Sequence, residues 1–344
     1  MPGTIESIYT PAYLTRAVNN LQKRKKLLEG IIPTVPSEDA ILGNGGGDKA
    51  NWYAESMAVK RAKISIRGMP GYEVPLQSGD LRSLLHLTTK EKTKITSAMR
   101  QVWQDPVKRK SLSKNAPAQV LTNLSNRYIV GENDAMAEAL RLGTITRSDS
   151  GVAVDFGITS GTLPTPWGTG NNDLVATAAL DIVNNIVRPI RLNAHIGCGL
   201  LISNSLTAQY FTMNVANGDS GLQLMYYQML QSQGTFPAIG GNVKWIIVDD
   251  SYTNSAGAEV EYFPTGYICG VGGVGAEAVP GVYPVYYEQG TPEFNPSSGL
   301  PDTTVGMASW IEELPEGMGQ MVFVSTCETP IIALPEAVRG LYVL

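Results

Sequence analysis

Charge is scarce in this sequence. Of its 344 residues, 17% are Asp, Glu, Lys or Arg, against roughly 25% in ordinary soluble domains. Disordered chains and coiled coils both depend on charge, so the scarcity excludes them. Histidine is scarcer: His86 and His195 are the only two, far apart in sequence. The three cysteines, Cys198, Cys269 and Cys327, are an odd number at wide spacing, which suggests neither a disulfide framework nor a metal site. They read as small buried hydrophobes of a reducing compartment. No stretch reaches the roughly 18 apolar residues that span a bilayer. The opening Met1-Pro2-Gly3-Thr4-Ile5-Glu6 lacks the basic-then-apolar order of an export signal. Glycine is plentiful at 36 residues, but without a Gly-X-Y period, which excludes collagen. What remains is a soluble, intracellular, cofactor-free protein. At about 150 residues per domain it has two domains, and 43% hydrophobic residues give it ample core.

The few charges are unevenly placed. Residues 1–150 hold 22 Lys+Arg against 14 Asp+Glu, a balance of +8, and residues 151–344 hold 4 against 17, a balance of −13. A basic half can bind nucleic acid, or the two halves can bind each other between copies of the chain. The second is favoured, because acids interrupt the basic residues and no aromatic stacking pattern accompanies them. Between 56 and 95 eight bases (Lys60, Arg61, Lys63, Arg67, Arg82, Lys90, Lys92, Lys94) face three acids (Glu73, Asp80, Glu91). The earlier cluster Lys23-Arg24-Lys25-Lys26 reads as the solvated face of a short N-terminal helix, or as a docking site for another protein, and needs no nucleic acid.

Hydrophobic spacing gives an α+β chain with no βαβ rhythm and no repeats. The glycine-rich Gly43 to Gly47 connects the N-terminal part to an extended hairpin arm near 56–68, where polar and apolar residues alternate. A long helix is expected over 116–142, capped by Asn115, with Pro117 early and Gly143 as its stop. Val120, Leu121, Leu124, Tyr128, Met136 and Leu140 carry its period, and Gly131 is a point where it can break. A short strand at 152–157 follows. Residues 173–188 predict a second helix ended by Pro189. Beyond it the chain is rich in strands, with 243–248 the clearest buried one, 267–270 another, and more at 321–326 and 340–344.

No motif carries convincing chemistry. Gly270-Val271-Gly272-Gly273-Val274-Gly275 matches the dinucleotide fingerprint in spelling, but that fingerprint needs a helix at its third glycine. Pro280 and Gly281 forbid one, so a flexible loop is expected. His195 lies in an apolar stretch near Cys198 and reads as a hydrogen-bonded structural histidine. Asp249-Asp250 and Glu312-Glu313 could bind a metal or form an acid pair, but adjacent acids on a strand point to opposite faces, and both pairs read as solvated turns. No catalytic, cofactor-binding or metal residue is assigned, and the chain is not expected to be an enzyme.

The order of parts resembles a tailed-phage major capsid protein, and looks most like the lambda-type major capsid protein E family. The carrying residues are Val154-Asp155-Phe156-Gly157 after the long helix, Thr165-Pro166-Trp167-Gly168-Thr169-Gly170, Phe263-Pro264-Thr265-Gly266-Tyr267 before a strand, and Pro330-Ile331-Ile332-Ala333-Leu334-Pro335 near the end. The resemblance spans about 113–344. It implies the Hong Kong 97-type capsid fold: an N-terminal arm and linker at 1–49, an extended loop at 50–98, a peripheral domain with a spine helix at 99–172 and 301–344, and an axial domain at 173–300.

It further implies pentamers and hexamers that close into an icosahedral shell around double-stranded DNA, assembled in the host cytoplasm and retained in the virion. The implied partners are other copies of the chain, with scaffold, portal and cementing or decoration proteins. DNA is enclosed without sequence-specific binding, and no membrane is involved. A lysine–asparagine crosslink, as some members make, is not expected. Joined to the charge split, this places Lys60, Arg61, Lys63 and Arg67 at an inter-subunit interface, with Trp167 as a packing anchor at a junction; an ordinary core tryptophan is the alternative there. A cellular encapsulin-like compartment is the runner-up, and a soluble hydrolase using His195 or Asp249 a distant third.

Overall fold

The computed structural model describes residues 26–36, 49–54, 80–85, 88–95, 116–146, 153–170, 173–240, 242–254, 256–292, 306–313 and 320–344. In chain order the strands are β1 (Thr34–Pro36), β2 (Lys49–Ala54), β3 (Asp80–Leu85), β4 (Thr88–Ile95), β5 (Thr144–Thr146), β6 (Ala153–Asp155), β7 (Thr159–Thr162), β8 (Cys198–Ser203), β9 (Lys244–Ile247), β10 (Ser251–Thr253), β11 (Glu259–Glu261), β12 (Tyr267–Gly272), β13 (Val285–Gln289), β14 (Gly306–Glu313), β15 (Gln320–Ile332) and β16 (Val338–Tyr342). The helices are α1 (Ala116–Leu142), α2 (178–193), α3 (Ser205–Val215) and α4 (Ser220–Gln233).

Two five-stranded sheets organise these elements. The first is built on the 13-residue β15. β14 pairs antiparallel along one side of its first half, β4 along the other, and β13 continues beside Glu328–Ile332 with β1 parallel at the edge. The second runs β7-β16-β12-β8-β9. Its outer pairs, β7–β16 and β8–β9, are parallel and its inner pairs antiparallel.

The second sheet is covered on both faces, and strand alternation sorts its residues between two cores. Leu200, Ile202, Tyr267, Cys269 and Val271 meet Met136, Ala139 and Leu140 of α1. Leu201, Ile268 and Leu341 meet Ile182, Ile186 and Ile190 of α2, with Phe211 and Trp245. All six residues of β8 and all six of β12 are buried. Such double burial explains their near-continuous apolar reading.

α1 bridges the sheets. Its Tyr128 hydroxyl donates to the Val324 carbonyl of β15. At its other end the Leu140 and Arg141 carbonyls accept from the Cys269 thiol (3.3 Å) and the Tyr267 hydroxyl (3.0 Å) of β12. The helix does not break at Gly131, which is exposed. A solvent-facing glycine costs a helix only about 1 kcal/mol, less than the packing of the turns around it contributes. Gly143 stops it as expected: at φ +71° it turns its N–H back to the Ala139 carbonyl, 2.9 Å away.

Two further expectations change. Pro189 does not end α2, because the turn before it, Val183–Val187, is a π-helix in which the Arg188 N–H reaches back to the Val183 carbonyl. The wider turn makes room for the ring, and Pro189 starts the next helical turn, where its missing N–H is tolerated. β9 is an edge strand with Lys244 exposed and Ile246 and Ile247 half-buried, not a fully buried one. The second sheet joins strands from distant parts of the chain. β7 and β16 both belong to the sheet of β8, β9 and β12, because the C-terminal strand covers the side of β12 that β8 leaves open.

The arm expected near 56–68 lies outside the described residues. Its flanks pair: β2 and β3 run antiparallel from Lys49↔Leu85 to Ala54↔Asp80, so the chain leaves and returns side by side.

Candidate assembly surface

A stretch almost without charge covers α3, α4 and the turns around them. Between residues 192 and 243 the sequence holds a single Asp, Glu, Lys or Arg, namely Asp219. That residue is spent as a cap: its Oδ1 accepts from the Gly221 and Leu222 N–H groups at 2.9 and 3.0 Å and opens α4. Gly234, at φ +66°, closes the helix by donating to the Leu230 carbonyl.

α4 has 14 residues, none charged, and only Leu230 is buried. Tyr226 and Tyr227 lean on the second core, with Tyr226 edge-on to Phe236 at 5.3 Å. The opposite side presents Leu224 and Met225 at 59% and 51% exposure, and Leu222, one turn before Tyr226, is 40% exposed near the start of the helix. Leu206 on α3 and Leu180 and Leu192 on α2 are exposed as well. Single exposed leucines are ordinary, but several on one uncharged helix mark a surface suited to burial against another molecule.

The basic segment appears in part. Lys90, Lys92 and Lys94 are exposed on β4, at the every-second-residue spacing that puts them on one face. The Lys90 ammonium lies 5.3 and 5.8 Å from the ring centres of Trp310 and Phe323, which stack 5.1 Å apart. The row covers that aromatic pair and keeps the sheet edge charged. Lys60, Arg61, Lys63 and Arg67 lie outside the described residues. On the acidic side, Asp249, Asp250, Glu259 and Glu261 gather around the β10–β11 hairpin, exposed and paired with no cation among the described residues.

Trp167 is 2% exposed in the single chain. Its N–H donates to the Val343 carbonyl at 2.7 Å and its indole Nε1 to Asp181 at 3.0 Å, which fastens the 163–170 crossing between the C-terminus and α2. Asn214 holds the next turn. Its Oδ1 accepts from the Gly168 and Val175 N–H groups, and its Nδ2 donates to the Gly168 and Tyr210 carbonyls.

The other candidates have structural surroundings. Gly270 and Gly272 are in buried β12, not in a flexible loop, and a single 3-10 turn, Gly275–Glu277, follows them. His195 is exposed at φ +56°, in the turn after α2, and is no core histidine. His86 lies outside the described residues. Asp249 accepts from the Ser205 N–H at 2.6 Å, at the start of α3. Glu312 accepts from the Trp310 indole at 3.0 Å within β14 and is no solvated turn. All three cysteines are buried, and burial pushes the Cys198 thiol up to about 12 and Cys269 higher. Among the described residues no group of three or more His, Cys, Asp or Glu could hold a metal, and no helix is long and apolar enough to cross a membrane.

Sequence reasoning missed two features. The bare face of α4 had a visible signal, the absence of any charge over Ser220–Gln233. Lys26 had none: read as one charge of a solvated cluster, it pairs inside the chain with Glu132 and Glu328, which lie far away in sequence.

No family model matches the chain, and no curated protein does. Solved structures do match. A phage-related protein from Bordetella bronchiseptica RB50 superposes with a TM-score of 0.59 at 8% identity, over 97% of each chain. A protein assigned as a prophage capsid protein from E. coli CFT073 gives 0.52 at 12% identity, over 78% of this chain and 80% of that one. The capsid of Myoviridae phage XM1 gives 0.50 at 11% identity, over 96% and 98%. This is the Hong Kong 97-type capsid fold. At such identities the similarity establishes the architecture, and function has to be argued from the surfaces.

Proposed function

We propose that this chain is the major capsid protein of a tailed phage, similar to the lambda-type E family. Copies assemble through hexamers and pentamers into an icosahedral shell around double-stranded DNA, in the host cytoplasm, and remain in the virion. The observation that carries this reading is the end-to-end match of the capsid fold, over 96–97% of the chain in two of the three structures compared. The described elements are consumed by that fold and its cores.

Two surfaces supply the contacts. The uncharged face of α4 packs against another copy, where its leucines and Met225 leave water. The basic loop, with Lys60, Arg61, Lys63 and Arg67, reaches a neighbour's acidic side, for which Asp249, Asp250, Glu259 and Glu261 are the exposed acceptors. Repeated around a ring, such a contact joins two different surfaces and closes by symmetry. Each exposed pair contributes about 1 kcal/mol or less, so charge sets register and encounter while apolar burial sets strength. Trp167 acts from within, by holding the crossing between the C-terminus and α2. The net charge of −5 agrees with a shell that encloses DNA without sequence-specific binding. Scaffold, portal and cementing proteins are the further partners.

Negative-stain electron microscopy of the purified protein at low and high salt tests the reading. Rings or closed shells are expected, with fewer at high salt. Uniform small particles at every salt, persisting on co-expression with the neighbouring phage genes, would sink it.

A further inference from the structure

The turn between α3 and α4 puts an asparagine directly before a glycine. That pair occurs twice in the sequence, at Asn44-Gly45 and Asn217-Gly218, and the first lies outside the described residues. Asn217 and Gly218 are both exposed, and both have positive φ, +50° and +79°. Asparagine enters that region more readily than most side chains, and glycine adopts it freely. Three backbone bonds hold the turn. The Asn217 N–H donates to the Asn214 carbonyl at 3.1 Å, the Gly218 N–H to the Met213 carbonyl at 3.4 Å, and the Asp219 N–H to the Ala216 carbonyl at 3.1 Å. The bond from Gly218 is the longest and weakest of the three.

The side-chain amide of Asn217 makes no hydrogen bond with any described residue. Two asparagines that precede serine are held instead. Asn204 donates to Glu261 and Thr265 and accepts from the Thr207 N–H. Asn254 accepts from the Ala256 and Ala258 N–H groups.

A free asparagine amide is one ring closure away from the next backbone nitrogen. When that nitrogen loses its proton and attacks Cγ, an N–Cγ bond forms and the Cγ–Nδ2 bond breaks. The proton and the NH₂ group leave together as ammonia, and a five-membered succinimide remains. Solvent water then opens the ring. Breaking the N–Cγ bond gives aspartate, and breaking the bond to the backbone carbonyl carbon gives isoaspartate, in which the chain runs through Cβ. A side chain on the following residue hinders the attack, and Gly218 has none. The rotation that brings the nitrogen onto Cγ is absorbed at the same glycine, which admits either sign of φ.

Asp219 comes next. Its Oδ1 caps α4 at the Gly221 and Leu222 N–H groups, and its carbonyl accepts from the Gln223 N–H at 2.9 Å. The cap is positioned by the Asp219 N–H on the Ala216 carbonyl, a bond that spans Asn217 and Gly218. Isoaspartate adds one backbone atom inside that span. The new charge lies between the end of α3, where an anion is unfavourable, and the start of α4, where it is favourable, so the lengthening dominates.

We propose that Asn217 is a self-modification site: in the folded chain it converts to isoaspartate through Gly218, and the conversion releases the first turn of α4 from its Asp219 cap. The reagents are the chain's own amide and water. The attack needs a deprotonated nitrogen, so conversion quickens as pH rises above neutral. The inference does not depend on the shell reading.

Ageing the folded full-length chain at mildly alkaline pH tests it. Peptide mass spectrometry with isoaspartyl methyltransferase labelling locates the product, and hydrogen exchange on the separated converted and unconverted protein reads α4. Isoaspartate should accumulate at Asn217 well ahead of Asn204 and Asn254. In the converted protein, exchange at 221–223 should be roughly fivefold faster, as for a lost cap, while the Leu230 end of α4 keeps its protection. Asn217→Gly suits the positive φ and has no amide to lose, so it should form no isoaspartate and keep the cap. Freshly prepared Asn217→Asp adds the charge without the lengthening and should keep the cap as well. If the folded chain forms no isoaspartate at Asn217 while the urea-unfolded chain does, the native turn blocks ring closure and the site is overturned. Unchanged exchange at 221–223 in the converted protein, or an equal loss in Asn217→Asp, overturns the link to the cap.

Discussion

A Cβ added at Gly270 would lie 2.1 Å from Ile186 Cγ2, and one at Gly272 would lie 2.6 Å from Ile190 Cγ2. The glycines are where α2 rests on the sheet, and their lack of a side chain sets the distance between helix and strand. That is why a run spelled like a phosphate-binding loop is a strand. In the sequence it looked like a loop, since glycine carries no polarity with which to show a period of two. Its neighbours carry it: Ile268 belongs to the α2 side, Cys269 and Val271 to the α1 side. Gly270→Ala should therefore lower stability by about 1–3 kcal/mol through overpacking. Removing the obstacle with Ile186→Ala should make the pair less destabilised than the sum of the singles. Thermal unfolding of the four proteins of this cycle reads the coupling, and strict additivity would contradict the contact.

At the scale of elements, legibility followed from how complete a helix's own signals are. α1 showed its period, its stop and its length in the sequence, and its observed bounds match. α2 showed its apolar face, but it starts at Ala178 and not at 173, and a π-turn depends on hydrogen bonding that composition does not reveal, so Pro189 looked like an end. α4 was the least readable, because a helix that keeps Leu222, Leu224 and Met225 exposed has no amphipathic pattern to find. The same deficiency makes it testable. Leu224→Glu with Met225→Glu changes residues more than half exposed, and such surface changes usually move stability by about 0.5 kcal/mol or less. Folded, soluble subunits that fail to form rings or shells are expected. Leu230→Ala, on the buried side, should instead cost about 2–5 kcal/mol of folding stability. Sedimentation and thermal melts of both variants separate the roles, and shells at wild-type yield from the double glutamate variant would remove α4 from the interface.

Charge is the property that belongs to the whole molecule, and it was readable before any fold was known. The balance of +8 in residues 1–150 against −13 in the remainder is a count. The joining of β7 and β16 in one sheet is not, since β7, Thr-Ser-Gly-Thr and exposed throughout, has no apolar alternation to say which sheet it enters. The two parts of the sequence interleave in the fold, as β4 beside β15 shows, so the division acts between copies only where exposed bases of one meet exposed acids of another. Under the proposed assembly, such a contact joins two different surfaces, as a head-to-tail ring requires and a face-to-face dimer does not. Reversing Lys60, Arg61 and Lys63 to Glu should leave the subunit folded and abolish assembly at low salt, where wild type is expected to assemble best. Because Asp249, Asp250, Glu259 and Glu261 are the proposed acceptors, reversing Asp249 and Glu259 to Lys in the same chain should recover part of the assembly. Recovery requires that the contact be between those two surfaces, since charge reversal elsewhere would restore the net charge without restoring the fit. Shells from the triple variant that form normally and ignore salt would show that burial alone drives the ring, leaving the charge division without a part in it.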